Sequence, residues 1–399
     1  MRYQLKNETV KFTKGRIALR CVLLAVLLAL VPAAYFLPSA LVKGEAANYY
    51  SEKVFPIISM LPISISGMFM TSLTEMFVVV GSVSVLVLGF MFLIKCVSLC
   101  HNRSLRHMFH FIYLVLRAVL IIGIIGALVF ELMLGLNYNR TSVRRQMHLY
   151  SEEVRPYEDY NDTLMWAYAG MVEARKALGE DYNGVAHMST SFETMVYDAN
   201  LAVSTVDHYY DLGLSVNYIR AKAVWLSKYW RYTDIVGMYD PFLGEANINT
   251  DYLDILHLPL TICHEICHAK GYGSETDCNT IAALSCINSD RADFRYAGYY
   301  YIFMHLWKTV NDYAEYVGET PASFTSLESF RPVLRDMQAY YSYRDSFDDG
   351  PIAEFISYFS EDANNAFLES NGQQGGTQTY VVPQDVYVEY YCRYVRNYA

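Results

Sequence analysis

The sequence predicts a mostly α-helical protein, with three N-terminal transmembrane helices followed by an α-rich domain that contains a small β element. Of its 399 residues, 53% are hydrophobic and 18% are charged, whereas soluble chains average roughly 25% charged. The charge is also uneven. Residues 1–139 carry 12 Lys and Arg against 5 Asp and Glu (+7), and residues 140–399 carry 19 against 36 (−17). We therefore predict a membrane domain over 1–139 and a water-exposed domain over 140–399.

Three apolar runs account for the membrane domain. Each reaches the roughly 20 residues that a helix needs to cross the hydrocarbon core. They cover about 17–37, 76–94 and 111–136. The lipid bilayer is thus the first predicted partner, and the predicted location is the cell membrane, with several spans. Between the first two runs, 55–70 is apolar but interrupted by Pro56 and Pro62, which favours an interfacial or re-entrant segment.

The distribution of basic residues predicts the orientation. The loop between the first two runs has only Lys43 and Lys53. The N-terminus and the second loop are richer in basic residues: Lys6, Lys11, Lys14, Arg16, Lys95, Arg103 and Arg106. The positive-inside rule then places both in the cytoplasm and residues 140–399 outside it. Three arginines just after the third run act against this orientation: Arg140, Arg144 and Arg145.

Composition excludes two classes for residues 140–399. An acidic domain is a poor nucleic-acid binder, because phosphate contacts need clustered Lys and Arg. Five of the eight cysteines fall in this part, an odd number that does not indicate a disulfide scaffold. Cys263 and Cys267 are therefore expected to be small buried residues.

Helical periodicity dominates residues 140–399. Predicted helices cover 163–178, 189–210, 217–232, 293–317, 321–341 and 351–370. The stretch 235–250 is strand-like, with turn residues inside it. A further helix is expected from about 256 to 270, ended by Gly271 and Gly273.

This last helix carries the motif His264-Glu265-Ile266-Cys267-His268. Residues i and i+4 share a helix face, so both imidazoles can bind one Zn²⁺ ion. Glu265 would lie beside the open coordination position and act as general base toward an attacking water. Two histidines packed against a core are the alternative.

A catalytic zinc normally has a third protein ligand. A third histidine at the metzincin spacing would be residue 274, which is Ser274. A carboxylate on a following helix, over about 274–288, is the remaining option. Asp277 is the preferred ligand and Glu275 the reserve. Alternatively, Ser274 and Asp277 only cap that helix.

The segments PFLGEANIN (241–249), LPLTICHEICHAKGY (258–272), SETDCN (274–279) and GLNY (135–138) resemble an uncharacterised bacterial family, domain of unknown function 3810. The resemblance extends to 350–352 and 370–373. It implies membrane spans followed by a helical zincin-like domain, and hence a membrane-anchored zinc metallopeptidase. The family usually has Glu-Ala-Asn where this chain has Asp277-Cys278-Asn279. Asn279 either orients the site or is a helix-surface amide.

The strand 245–249 is a candidate substrate site. Zincins bind extended peptide along an edge strand, and Glu245, Asn247 and Asn249 alternate onto one face. A solvated strand face is the alternative. An oxyanion stabiliser is also expected. The candidates for it are Tyr239, Tyr272 and His305.

The leading functional hypothesis is a zinc metalloendopeptidase that acts on a peptide or protein substrate. The alternative is a non-catalytic metal-binding membrane sensor or assembly protein. An intramembrane protease is disfavoured, because Lys270, Glu275 and Asp277 follow the motif at once.

Overall fold

The computed structural model describes residues 13–101, 105–233, 235–251, 254–346 and 350–396. Lys6, Lys11 and Arg103, on which the predicted orientation partly depends, lie outside these ranges. The helices are α1 Lys14–Leu41, α2 Glu45–Tyr49, α3 Phe55–Gly67, α4 Leu73–His101, α5 Leu105–Met133, α6 Val143–Gln146, α7 Tyr157–Lys176, α8 Phe192–Tyr210, α9 Ser227–Trp230, α10 Leu258–Ala269, α11 Glu275–Ile287, α12 Ala292–Val317, α13 Arg331–Asp345, α14 Pro351–Ser370 and α15 Asp385–Tyr390. The strands are β1 Lys222–Ala223, β2 Gly237–Asp240 and β3 Glu245–Ile248.

The chain forms two compact units. The first comprises Met1–Leu41 and Glu75–Leu132. It contains almost all of α1, α4 and α5, three described helices that are long and apolar enough to cross a membrane. The predicted fold class, mostly α with three such N-terminal helices, is confirmed, and the chain associates with the bilayer.

The second unit comprises Val42–Thr74 and Met133–Ala399. Residues 42–74 therefore pack with the C-terminal part rather than with the spans, unlike the predicted division after residue 139. The reason is a small core of Tyr50, Phe55 and Leu136. Phe55 is fully buried there, so the start of α3 belongs to this unit.

The centre of the second unit is α10, in which all twelve residues are buried. It packs against α8, α11, α12 and the strands β2 and β3. In α11 every residue except Thr276 is buried, and α12 covers it and packs on α7. This packing explains why both helices are apolar around most of their circumference.

The described strands form one sheet in the order β1-β3-β2. The predicted strand-like stretch 235–250 is the antiparallel β2–β3 hairpin, with Gly237 opposite Ile248. The predicted helix over 217–232 is wrong. There Lys222 and Ala223 pair in parallel with β3, because the Lys222 ammonium binds the Glu245 carboxylate on that strand. All eight cysteines are free, and Cys263 and Cys267 are fully buried, as predicted.

Candidate metal centre

The two histidines of α10 face one another. Pro259 lies in the first turn of the helix. Backbone N–H groups in that turn have no partner within the helix, so the lack of an N–H on proline costs no hydrogen bond there. The Nε2 atoms of His264 and His268 are 3.0 Å apart, and both residues are buried, at 7% and 6% exposure. Two imidazole nitrogens this close repel each other unless a proton or a cation lies between them.

A tight turn brings the next helix back to these rings. Gly271, at φ 102°, follows the end of α10. A Cβ on Gly273 would lie 2.8 Å from the backbone nitrogen of Tyr138, so only glycine allows this approach. The Arg140 guanidinium donates to the Gly271 carbonyl at 2.8 Å and stacks on the Tyr272 ring. Arg140 therefore has a structural role in this turn.

Glu275, the first residue of α11, completes the cluster. Its Oε2 lies 3.0 Å from His264 Nε2 and 3.3 Å from His268 Nε2. A tetrahedral zinc with bonds of about 2.0–2.1 Å has ligand atoms separated by about 3.3 Å. These three atoms thus match one triangular face of a zinc tetrahedron, and the donor set of two imidazoles and one carboxylate suits zinc.

Asp277, the preferred third ligand, is not in this cluster. Its Oδ1 accepts a hydrogen bond from the Val143 backbone nitrogen at 2.9 Å, and its own nitrogen donates to the Ser274 hydroxyl. The reason is helix geometry, because side chains two positions apart point about 200° away from each other. With Glu275 toward the histidines, Asp277 must face the opposite way. The reserve carboxylate, Glu275, is the one that the fold places there.

Each histidine is oriented through its other ring nitrogen. Nδ1 of His264 lies 2.8 Å from Asn279 Oδ1, and Nδ1 of His268 lies 2.9 Å from the Tyr272 carbonyl. Both partners are acceptors, so each Nδ1 carries a proton, and each Nε2 faces the cluster as the atom that can bind a metal ion or a second proton. Asn279 is therefore a buried orienting residue rather than a helix-surface amide.

The electrostatics of the cluster favour positive charge between the rings. Burial alone would lower the pKa of His268, but the adjacent Glu275 carboxylate raises it to about 9. Burial would likewise raise the pKa of Glu275, yet the two histidines lower it to about 2. At neutral pH this carboxylate is ionised and attracts a cation.

Glu265 lies next to the cluster, against β2. The Tyr239 backbone N–H donates to its carboxyl group, and a Cβ on Gly237 would come within 2.6 Å of its Oε1. No donor among the described residues reaches its buried Oε2. Burial raises the pKa of Glu265. An acid with one free, water-excluded oxygen is suited to proton transfer.

The structure contradicts the predicted substrate strand. Strand β3 is the central strand, so neither of its edges is open to a peptide. Glu245 and Asn247 are buried and bind Thr74 and Ser72, and the Asn249 side chain donates to the Ile235 carbonyl. Strands β1 and β2 each have one edge with which no described strand pairs, and β2 is the one beside Glu265.

The three candidate oxyanion stabilisers have polar atoms that already bind carbonyls, although the Tyr239 ring stacks on His268 at 6.4 Å between centroids. The Tyr239 hydroxyl donates to the Met133 carbonyl, and the Tyr272 hydroxyl donates to the Leu212 carbonyl. The His305 Nε2 atom binds the Val382 carbonyl. Sequence reasoning missed Tyr380, whose ring lies parallel to His264 at 6.4 Å between centroids. Burial and the charges of Glu275 and Glu265 raise its pKa. Tyr380 lies 105 positions beyond Glu275, and no local motif marks it.

Comparison with protein families gives one match. The model of the family described as "Protein of unknown function (DUF3810)" matches residues 50–382, which include every residue of the cluster. No curated protein matches the chain, and neither does any solved structure. The match covers most of the sequence, and the protein is therefore a member of the DUF3810 family.

Proposed function

We propose that the protein is a membrane-anchored zinc-dependent metallopeptidase that hydrolyses peptide bonds. One observation carries the proposal: three buried ligand atoms with zinc-like spacing lie beside Glu265, whose buried Oε2 has no partner among the described residues. Most buried side-chain oxygens have a hydrogen-bond partner, and an unpaired carboxyl oxygen beside three metal-type ligand atoms is suited to proton transfer. His264, His268 and Glu275 would hold the ion.

The proposed chemistry divides among these groups. A bound zinc ion supplies a Lewis acid and lowers the pKa of a water molecule to about 7. Glu265 would take a proton from the water that attacks the peptide carbonyl, and would give that proton to the departing amine when the C–N bond breaks. Tyr380, whose ring stacks on that of His264, is the candidate donor to the carbonyl oxygen, in exchange for its hydrogen bond with Asn364.

The open edge of β2 is the proposed substrate track. In the antiparallel pairing, Asn249 donates to the Val236 carbonyl, so by alternation the backbone groups of Gly237 and Tyr239 point away from β3. The Tyr239 N–H is used by Glu265, and Gly237 is left to pair with an extended peptide. We also propose that this domain is extracytoplasmic, from the basic residues around the first two spans.

The decisive experiment separates metal binding from chemistry. The full-length protein, purified in detergent with zinc, is compared with Glu265→Gln, His264→Ala and the surface control Glu173→Gln. We expect equimolar zinc and cleavage of a mixed peptide library for the wild type and the control. Glu265→Gln should keep its zinc and lose at least about 100-fold in rate. His264→Ala should lose both, and equal zinc in His264→Ala and wild type would refute the proposal.

The alternative hypothesis, a non-catalytic metal-binding sensor, predicts a different result for the Glu265→Gln variant. A sensor would keep its cellular function in the Glu265→Gln variant, whereas a peptidase would not. The cysteines give little support to the sensor, since burial raises the pKa of Cys267, Cys278 and Cys286 and keeps these thiols protonated.

A further inference from the structure

Helix α3 differs from an ordinary surface helix, because it buries polar residues and exposes apolar ones. Its buried positions include two serines, Ser59 and Ser66. Its solvent-facing side is apolar except for Ser64. The exposed residues on and just after the helix include Ile57 (69%), Met60 (54%), Leu61 (66%), Ile65 (47%), Met68 (77%), Phe69 (46%) and Met70 (67%). Positions 57, 60, 61, 65 and 68 follow helical spacing and thus form a single stripe.

The inner face is fixed by polar contacts with the rest of the second unit. The Asn217 amide donates to the Pro56 carbonyl at 2.9 Å. The Ser66 hydroxyl donates to Glu245 at 3.0 Å, and its carbonyl accepts from Lys222 at 2.8 Å. The helix therefore cannot roll over to bury the apolar stripe, because that would break these buried bonds.

Neighbouring loops extend the apolar surface. Val216 and Tyr218 flank Asn217 and are 90% and 50% exposed. The β2–β3 turn packs on α3 through Gly244 and Ile63, and it exposes Phe242 at 53%. These residues add to the exposed apolar side chains of α3, and extensive exposed apolar surface marks a protein or membrane interaction site.

Chain continuity identifies what covers this surface. The stripe lies between two membrane-type helices, α1, which ends at Leu41, and α4, which begins at Leu73. Only five residues separate α3 from α4, and no charged residue occurs between Lys53 and Glu75. The end of a spanning helix is at the membrane surface, so a segment five residues away is within reach of the acyl chains.

We propose that α3 lies in the plane of the bilayer, with its Ile57–Met68 stripe inserted among the lipid acyl chains, as an interfacial helix of the second unit. In an ordinary interfacial helix the polar side faces water. In α3 the side that carries Ser59 and Ser66 contacts the rest of the second unit instead. Because Phe55 packs against Gly271, the turn that brings Glu275 to the histidines rests directly on this helix. The proposal does not depend on whether the site is catalytic.

A fluorescent probe tests the insertion. Cys21, Cys96 and Cys100, the cysteines that are not buried, are replaced by Ser in the full-length protein. A single nitrobenzoxadiazole label is then placed at Leu61→Cys, with Ile57→Cys as a second stripe site. The control is Tyr182→Cys, at a position that is 96% exposed. The proteins are reconstituted in phosphatidylcholine vesicles with and without doxyl-labelled lipid.

We expect blue-shifted emission at both stripe sites and at least twofold stronger quenching by doxyl lipid than at position 182. Equal quenching at all three positions would overturn the proposal. Blue-shifted emission without lipid quenching would also overturn it, because it would assign the stripe to a protein partner or a second copy. Circular dichroism of each labelled protein establishes that it is folded.

Discussion

Two of the buried polar clusters in the described part of the second unit differ in how their hydrogen bonds are satisfied. In the cluster around Glu245, one carboxylate oxygen accepts from Lys222, from Ser66 and from the Leu73 nitrogen, and the other accepts from the nitrogen and hydroxyl of Thr74. In the cluster around Glu275, two imidazole lone pairs and a carboxylate oxygen point at one another, and Glu265 keeps an unpartnered oxygen.

The difference distinguishes a structural network from a binding site. Buried polar groups cost stability unless they are paired, and the Glu245 cluster meets that condition entirely with protein atoms. The Glu275 cluster meets it only when a proton or a metal cation lies between the imidazole nitrogens and the carboxylate. Exceptions to local satisfaction concentrate at functional sites, so the open cluster is the one to which we assign a ligand.

The largest expected effect is on stability, at the closed cluster. Glu245→Gln leaves the Lys222 ammonium buried at 1% exposure without a counter-charge. Breaking a buried pair in this way costs about 3–5 kcal/mol. Urea unfolding in detergent, followed by tryptophan fluorescence, measures the loss, since all four tryptophans belong to the second unit. Zinc content per folded molecule should not change.

A double variant is the matched control. Glu245→Gln with Lys222→Met removes both charges, and we expect it to regain more than half of the lost stability. The wild-type pair should also weaken in acid. Burial would raise the pKa of Glu245, but the bonds from Lys222 and Thr74 lower it below its ordinary value. Its stabilisation is therefore complete above that value and is lost as the pH falls through the folded-state pKa.

The next effect distinguishes the two acids of α11. Glu275→Gln removes the charge that faces the histidines, and we expect zinc affinity to fall by more than about 100-fold, beyond the range seen for outer-shell changes. Asp277→Asn alters a carboxyl group that binds the Val143 nitrogen, and its zinc affinity should stay within a few-fold of wild type. Competition with a chelating dye measures both. A larger loss in Asp277→Asn would restore Asp277 as the ligand.

The smallest effect concerns the orientation of His264. Asn279→Ala removes the acceptor from its Nδ1, and loss of such a partner typically lowers metal affinity 10–100-fold. Asn288→Ala, at the other end of α11, removes an amide that donates to the Leu284 carbonyl and the Tyr390 hydroxyl in the described part of the chain. Zinc titration should show no change in that control. Similar affinities for the two variants would contradict the orienting role.

The sequence predicts what depends on local spacing. The i, i+4 histidines, the helix that carries them and the glycine turn after it are local features, and α10, its turn and α11 follow within two residues of their predicted bounds. Three membrane-type helices follow from apolar length alone. These features can be predicted without knowing which distant residues they contact.

What sequence reasoning missed depends on pairing across the chain. Helix geometry allows only one of Glu275 and Asp277 to face the histidines, and the partner that holds Asp277 on the other side, the Val143 nitrogen, lies over 130 residues earlier. The central position of β3 is decided by Lys222, in a stretch whose periodicity is typical of a helix. Arg140 resembles a membrane-flanking charge in the sequence, and only the folded turn gives it the Gly271 carbonyl as a partner.

Because Gly273 lies so close to the Tyr138 backbone, substitutions in these two distant stretches of the chain are expected to be correlated in evolution. A larger residue at 273 would collide with backbone atoms of residues 137 and 138. A substitution at those positions cannot relieve the collision, because it changes the side chain and leaves the backbone atoms in place. The route of the polypeptide just after its last membrane-type helix is therefore constrained by the same selection that preserves the histidine–glutamate cluster. Relatives that vary at 273 should also have a displaced main chain at 137–138.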